Sequence, residues 1–309
     1  MEQHPPEGFP SALESTPCSQ QRVSLPDIVA ARPDTPVFVP GGPPRAPFDG
    51  PGHPSWTNPA YALHHARSWD SALALGAMPP LKGAAAPEGG AGARFLARLG
   101  ESLAELAGSP LPHVAQVWGP MTMASTHVGT EAYLASLRNP AEALALTDAG
   151  LETALVSVRV VLRSRPTVLW IAEPLAAIVD PGALQLLWPH TMRRLMAEAR
   201  AVGAEPVVHV SGSAAHVLPI AARLGVAGVS ITADTPLATA RKLLPAHAVV
   251  FGNLDSMRLL DRDEEWLSAA ARRMVEEMRG RPFVLTPGSA IPPHTSVERL
   301  AAFVDAVRG

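Results

Sequence analysis

One cysteine in 309 residues, Cys18, excludes an internal disulfide and any zinc site built from several thiolates, which fits a chain kept in the cytoplasm. No stretch reaches the roughly 18 uninterrupted apolar residues that a spanning helix needs. The opening, MEQHPPEGFPSALESTPCSQQ, lacks the basic start and apolar core that direct secretion. Neither membrane insertion nor export is expected. Basic charge is not in excess either: 25 Lys and Arg against 28 Asp and Glu leave a net charge of −3, so there is no broad basic surface and no nucleic-acid partner is expected. No GxGxxG or GxxxxGK[ST] run follows the first apolar segment, so the backbone cradles that hold nucleotide phosphates are missing.

What is present is apolar material in quantity, 47% of the chain, enough for one large domain or two ordinary ones. Residues 1–30 combine Pro, Ser, Gln and Glu with few large apolar groups and read as a flexible tail, the alternative being an arm laid over the fold. Residues 31–309 read as a single domain. The Pro/Gly-rich stretch 40–59 carries Phe48 and Trp56, side chains out of place in pure linker, and reads as an ordered loop.

Short apolar runs then alternate with longer amphipathic ones. Strands are expected at 36–39, 76–81, 113–118, 167–172, 206–210, 228–232, 248–252 and 282–286. Helical patterns lie between them, for example at 140–164, 182–203, 237–244 and 263–280, and SVERLAAFVDAVR ends the series. Eight strands alternating with helices predict a (β/α)8 TIM-type barrel, whose usual size of about 250 residues matches the chain without its tail. A doubly wound open sheet would show the same alternation.

In a barrel the chemistry belongs at the carboxyl ends of the strands. Reading just past each one collects Gly41 and Gly42, Gly119 to Ser125 with Thr122, Glu173, His209 with Ser211, Thr232 with Asp234, Asn253 with Asp255, and Thr286 to Ser289. Glu173 follows an apolar strand and precedes Pro174, which favours an extended backbone; it is expected to point into the mouth as a general acid or base, or a metal ligand. The alternative is a carboxylate that holds a loop. His209 is expected beside it on the next strand, with Ser211 orienting a substrate or capping a helix. His216 is expected inside that following helix. Asn253 offers paired donor and acceptor contacts to a polar substrate, while Asp255 serves equally well as a helix cap. Thr295 or Ser296 with Glu298 can start the last helix.

The segments GPMTMAS (119–125), IAEPLAAIVDPGALQLLWPHTMRRLM (171–196), HVSG (209–212), GNLD (252–255) and LTPGSAIPPHTSVERL (285–300) together resemble the uroporphyrinogen decarboxylase superfamily, and especially its methylcobalamin:coenzyme M methyltransferase branch. The resemblance implies a (β/α)8 barrel with its site at the carboxyl face. For the methyltransferase branch it implies zinc held by a His-x-Cys pair and a later Cys, and a corrinoid, free or protein-bound, as methyl donor. The histidine stands here as His209, but both cysteine positions are serines, Ser211 and Ser289. Zinc affinity is therefore weakened, and His209 and Glu173 are the metal ligands if any metal is held. For the decarboxylase branch, the arginine-bearing RQAGRY-type motif has no counterpart in 30–85, the tyrosine after GPxTxAS appears as Thr126, and the late histidine falls at Ser289.

The expected function is thus methyl-group transfer involving a small polar substrate without the His-Cys-Cys site. In this reading His209 and Glu173 are catalytic, and Ser211, Ser289, Asn253, Asp255, Thr122 and Thr232 bind substrate. The alternatives are a decarboxylase or other carbon–carbon lyase on a small carboxylated substrate, in which protonated His209 stabilises developing charge, and a non-catalytic binder of a corrinoid or small ligand. Trp and Leu residues on the helices could build a homodimer surface.

Overall fold

The structure, a computed structural model, describes residues 113–289, 291–292 and 295–307, together with Leu25 and the strand at 73–75. Val- and Ile-rich runs become strands because branched side chains suit a pleated, buried surface. They are β1 (Leu73–Leu75), β2 (His113–Trp118), β3 (Val168–Ala172), β4 (Glu205–Val210), β5 (Gly228–Ile231), β6 (Val249–Asn253) and β7 (Phe283–Thr286). All pair in parallel, in the order β1 to β7, each strand beside its predecessor. Parallel neighbours need a crossover, and helices supply it. These are α1 (Pro120–Val128), α2 (Thr130–Ser136), α3 (Pro140–Val161), α4 (Pro181–Ala201), α5 (Leu218–Leu224), α6 (Leu237–Leu243), α7 (Arg258–Asp261), α8 (Glu264–Glu277) and α9 (Val297–Asp305).

Side-chain caps set several helix starts. Asp180 accepts from Gly182 N at 2.8 Å to open α4, Asp263 from Trp266 N at 2.8 Å to open α8, and Ser296 from Arg299 N at 3.2 Å to open α9, as its sequence position suggested. His216, by contrast, precedes α5 rather than lying in a helix, and its Nε2 reaches Ala176 O at 3.0 Å, tying two strand-end loops together. Pro219 at the second helical position explains the late start, since proline is tolerated in the first turn and not deeper.

The two faces of the sheet pack differently, and this decides the architecture. Val117, Ile171, Val208, Val229 and Leu285 point to a core shared with helix residues such as Met121, Leu155, Trp188 and Leu267. The alternate residues Val114, Val168, Trp170, Val207, Phe251 and Val284 form a second cluster that contains, besides Leu25, only strand residues and their immediate neighbours. A doubly wound sheet carries helices on both faces, whereas a barrel keeps them outside and fills its interior with strand side chains. This is the TIM-type arrangement, with β1 and β7 at the edges of the described sheet.

Leu25, within the segment expected to be a tail, is buried against the inner cluster. The rest of that segment, the strands expected at 36–39 and 76–81, Gly41, Gly42 and the loop at 40–59 lie outside the described residues. Among the described residues no helix is long and apolar enough to cross a membrane.

Candidate functional site

Glu173 and His209 leave neighbouring strands, but on opposite faces. In the β3–β4 register Ala172 stands opposite His209, so these two share a face; Glu173, one residue on, turns to the other. Its backbone N–H continues the ladder to His209 O at 2.9 Å, while its side chain goes under the start of α1. There the carboxylate accepts from Met121 N at 3.1 Å, from Thr122 N at 2.8 Å and from the Thr122 hydroxyl. Three donors at a helix N-terminus are a favourable setting for a carboxylate. Yet Glu173 has 0% exposure, and burial raises its pKa from 4.5 to about 7 against the lowering effect of those hydrogen bonds. The Trp188 indole N–H also leans toward the carboxylate and favours its charged form, although it falls short of full hydrogen-bond geometry.

Gly119 makes this approach achievable, because a Cβ there would lie 2.2 Å from Glu173 Oε2. The expectation that Glu173 and Thr122 face a substrate in the mouth is therefore corrected: both belong to a sealed cap between the sheet and α1. The cause is the two-residue alternation of the strand, which carries through to the residue just beyond it.

His209 stands on the inner face. Its Nδ1 lies 2.9 Å from Ser230 Oγ on β5 and its Nε2 lies 3.1 Å from Ser211 Oγ. The Trp170 ring stacks on the imidazole at 5.5 Å and 23°, and Phe251 meets Trp170 edge-on at 5.3 Å. The residue is half-buried, and burial of the imidazole by the protein packed around it lowers its pKa from 6.5 to about 4, so it is neutral at pH 7. A neutral imidazole held between two hydroxyls and stacked on one indole offers hydrogen bonds, not a positive charge.

The remaining candidates mostly hold the rim together. The Thr232 hydroxyl donates to Asp234 Oδ2 at 2.9 Å and accepts from Gly212 N at 2.9 Å, which joins the loop after β4 to that after β5. The Asn253 amide donates to Thr235 O at 2.7 Å and to Thr232 O at 3.3 Å, adding the end of β6. Loops at strand ends leave backbone groups without ladder partners, and these side chains supply them. Asp255 accepts from Met257 N at 3.1 Å and pairs with Arg258 at 3.3 Å, which is the capping use. Asn253 and Asp255 also line an open cavity of about 430 Å³ with Arg258, Trp266 and Arg273, apart from His209. Ser289 Oγ lies 3.2 Å from Ser256 Oγ, in the loop after β6.

Among the described residues the donor set does not match the zinc site that the resemblance implies. Both ring nitrogens of His209 have hydroxyl partners, Ser289 is engaged elsewhere, Glu173 faces away, and the described residues contain no group of three His, Cys, Asp or Glu side chains able to hold a metal. Sequence reasoning missed Ser230 and Trp170. Ser230 is the one polar residue within the buried strand GVSI, and a polar residue inside an apolar run was the available signal. Trp170 had none, since an indole in a strand usually reads as core.

The model of the family described as uroporphyrinogen decarboxylase (URO-D) matches residues 87–309. Among curated proteins, the uroporphyrinogen decarboxylase of Novosphingobium aromaticivorans is 34% identical over 143 residues, 45% of this chain and 36% of that protein. That of an Anaeromyxobacter species is 27% identical over 203 residues, 64% of this chain and 58% of that protein. The chain thus spans 24% to 58% of the length of the curated relatives it matches. Among solved structures, a methyltransferase from Methanosarcina mazei superposes with a TM-score of 0.73 at 20% identity, covering 93% of this chain and 99% of that one, a likeness of fold.

Proposed function

Because the chain belongs to the uroporphyrinogen decarboxylase family, a family of enzymes, we propose that it is an enzyme working at the inner face of its barrel around His209, and that its reaction is methyl-group transfer involving a small polar substrate. The observation that carries this reading is His209, held neutral between Ser211 and Ser230 against Trp170. Loss of carbon dioxide builds negative charge on carbon and calls for a cation nearby. The inner-facing residues at the described strand ends, Trp118, Ala172, His209, Ser211, Ser230, Thr232, Phe251, Asn253, Val284 and Thr286, include no Lys or Arg, and the imidazole is uncharged. Methyl transfer has no such need. The acceptor's lone pair forms the new bond to carbon, and the electron pair of the old bond stays with the donor. Hydroxyls and a neutral imidazole orient a polar acceptor, and the tryptophan and phenylalanine rings suit an apolar or sulfonium methyl group. A corrinoid or a sulfonium compound is the donor class, without zinc-bound thiolate chemistry.

Incubation with methylcobalamin or a sulfonium donor and a panel of small thiols, amines and carboxylates, read by mass spectrometry, should give a methylated product that disappears in His209→Ala. No product with either donor class would overturn the reading. The names of the curated relatives favour a second one, decarboxylation of a small carboxylated substrate, and release of carbon dioxide in the same assay would establish it. Affinity for cobalamin without turnover would mark a binding protein instead.

A further inference from the structure

Ser230 is the residue next to His209 that neither the family resemblance nor a position at a strand end picks out. It stands opposite His209 in the β4–β5 register, is 1% exposed, and its hydroxyl has one hydrogen-bond partner among the described residues, His209 Nδ1 at 2.9 Å. We infer that Ser230 is a positioning residue: it fixes His209 in the Nε2–H tautomer and so turns the Ser211 hydroxyl outward as the pocket's hydrogen-bond donor.

The inference follows from counting protons. A serine hydroxyl has one proton to give and two lone pairs to receive with. If His209 donated from Nδ1 to Ser230, the Ser230 proton would be sealed in the interior with no acceptor, which costs far more than an unused lone pair. Ser230 therefore donates, and Nδ1 accepts. A neutral ring then carries its proton on Nε2, which donates to Ser211 Oγ at 3.1 Å. Ser211 is half-buried, not sealed, so its hydroxyl is not forced in either sense and does not set the direction; the sealed serine sets it. Stacking on Trp170 holds the ring plane, so the choice of tautomer is also a choice of direction in space. The chain of donors runs from Ser230 through the imidazole to Ser211, whose own proton is left for an acceptor oxygen, a carboxylate or carbonyl of the substrate. That last step rests on the proposed function; the tautomer does not.

Long-range proton–nitrogen NMR of the resting full-length protein tests this without any substrate, with His209→Gln used to assign the ring. Expected is the shift of an unprotonated nitrogen at Nδ1 and of a protonated one at Nε2, with that difference collapsing toward the average of exchanging tautomers in Ser230→Ala. In Ser230→Thr, which keeps the hydroxyl, the difference should persist. A protonated Nδ1 in the native protein, or a Ser230→Ala spectrum identical to the native one, overturns the inference. If Ser230→Ala fails to fold, the native spectrum alone decides. Because the spectrum is read on the resting protein, it can fail while methyl transfer stands, and methyl transfer can fail while it holds.

Discussion

Replacing Glu173 by glutamine gives the most direct view of the buried cap. The folded carboxyl has its pKa raised from 4.5 to about 7, chiefly by burial. Between those values the folded chain holds a proton that the unfolded chain has released, so stability falls as pH rises. The contribution is complete below about pH 4.5 and lost above about pH 7. At about 1.4 kcal/mol per unit the whole effect is on the order of 3 kcal/mol, most of which falls between pH 5 and 8. His209 works in the opposite sense: its pKa is lowered, so its contribution is lost as pH falls through about 4, and the native profile alone mixes the two. The difference between native and Glu173→Gln proteins cancels the histidine. Glutamine is itself costly, because its NH2 group meets the Met121 or Thr122 N–H and leaves buried donors unpaired, about 1–3 kcal/mol. Urea unfolding at several pH values should therefore show the native advantage over the variant shrinking by roughly 2–3 kcal/mol from pH 5 to pH 8. A gap that stays constant across that range would refute the assignment of the titration to Glu173, and with it the account of the cap.

Gly119→Ala should destabilise the fold by about 2 kcal/mol or more in the same measurement, since its Cβ would sit 2.2 Å from Glu173 Oε2, a sealed carboxylate with nowhere to move. Ser296→Ala should cost about 1 kcal/mol through the lost cap of α9, and no measurable loss would mean that Thr295 or water takes over. Ser211→Ala should lower turnover by about 100-fold while leaving the melting temperature within about 2 °C, as befits a pocket donor outside the core. Metal analysis of the purified protein should find far less than one zinc per chain, with turnover indifferent to chelation; one zinc per chain would restore the family's metal chemistry through ligands outside the described residues.

Much of the architecture was legible because strand identity depends on local composition. The expected segments 113–118, 206–210 and 282–286 agree with β2, β4 and β7 to within a residue. The barrel was expected from the strand count, the chain length and the resemblance, but alternation alone did not separate it from a doubly wound sheet, which also alternates strands with helices. The face that the helices cover separates the two. His209, Ser211 and their placement at one strand end could be read from the sequence. What could not was the company they keep, since Ser230 lies 21 residues away and meets the ring through register.

The separation of Glu173 from His209 carries the general point. Both sit at the ends of adjacent strands, and nearness in the sheet makes a shared pocket an inviting inference. Side-chain direction, however, changes with every residue, so a one-residue offset in register sends two neighbours to opposite sides of a layer about 10 Å thick. Here the offset is one: Ala172 is the partner of His209, and Glu173 comes after it. The surroundings of the two groups agree. The carboxylate meets α1 and Trp188 from the helix-side core, while the imidazole meets Trp170 and Ser230 from the inner face. A strand-end acid and a strand-end base can therefore be assigned to one site from sequence only once the register between their strands is known, and parity within each strand cannot supply it.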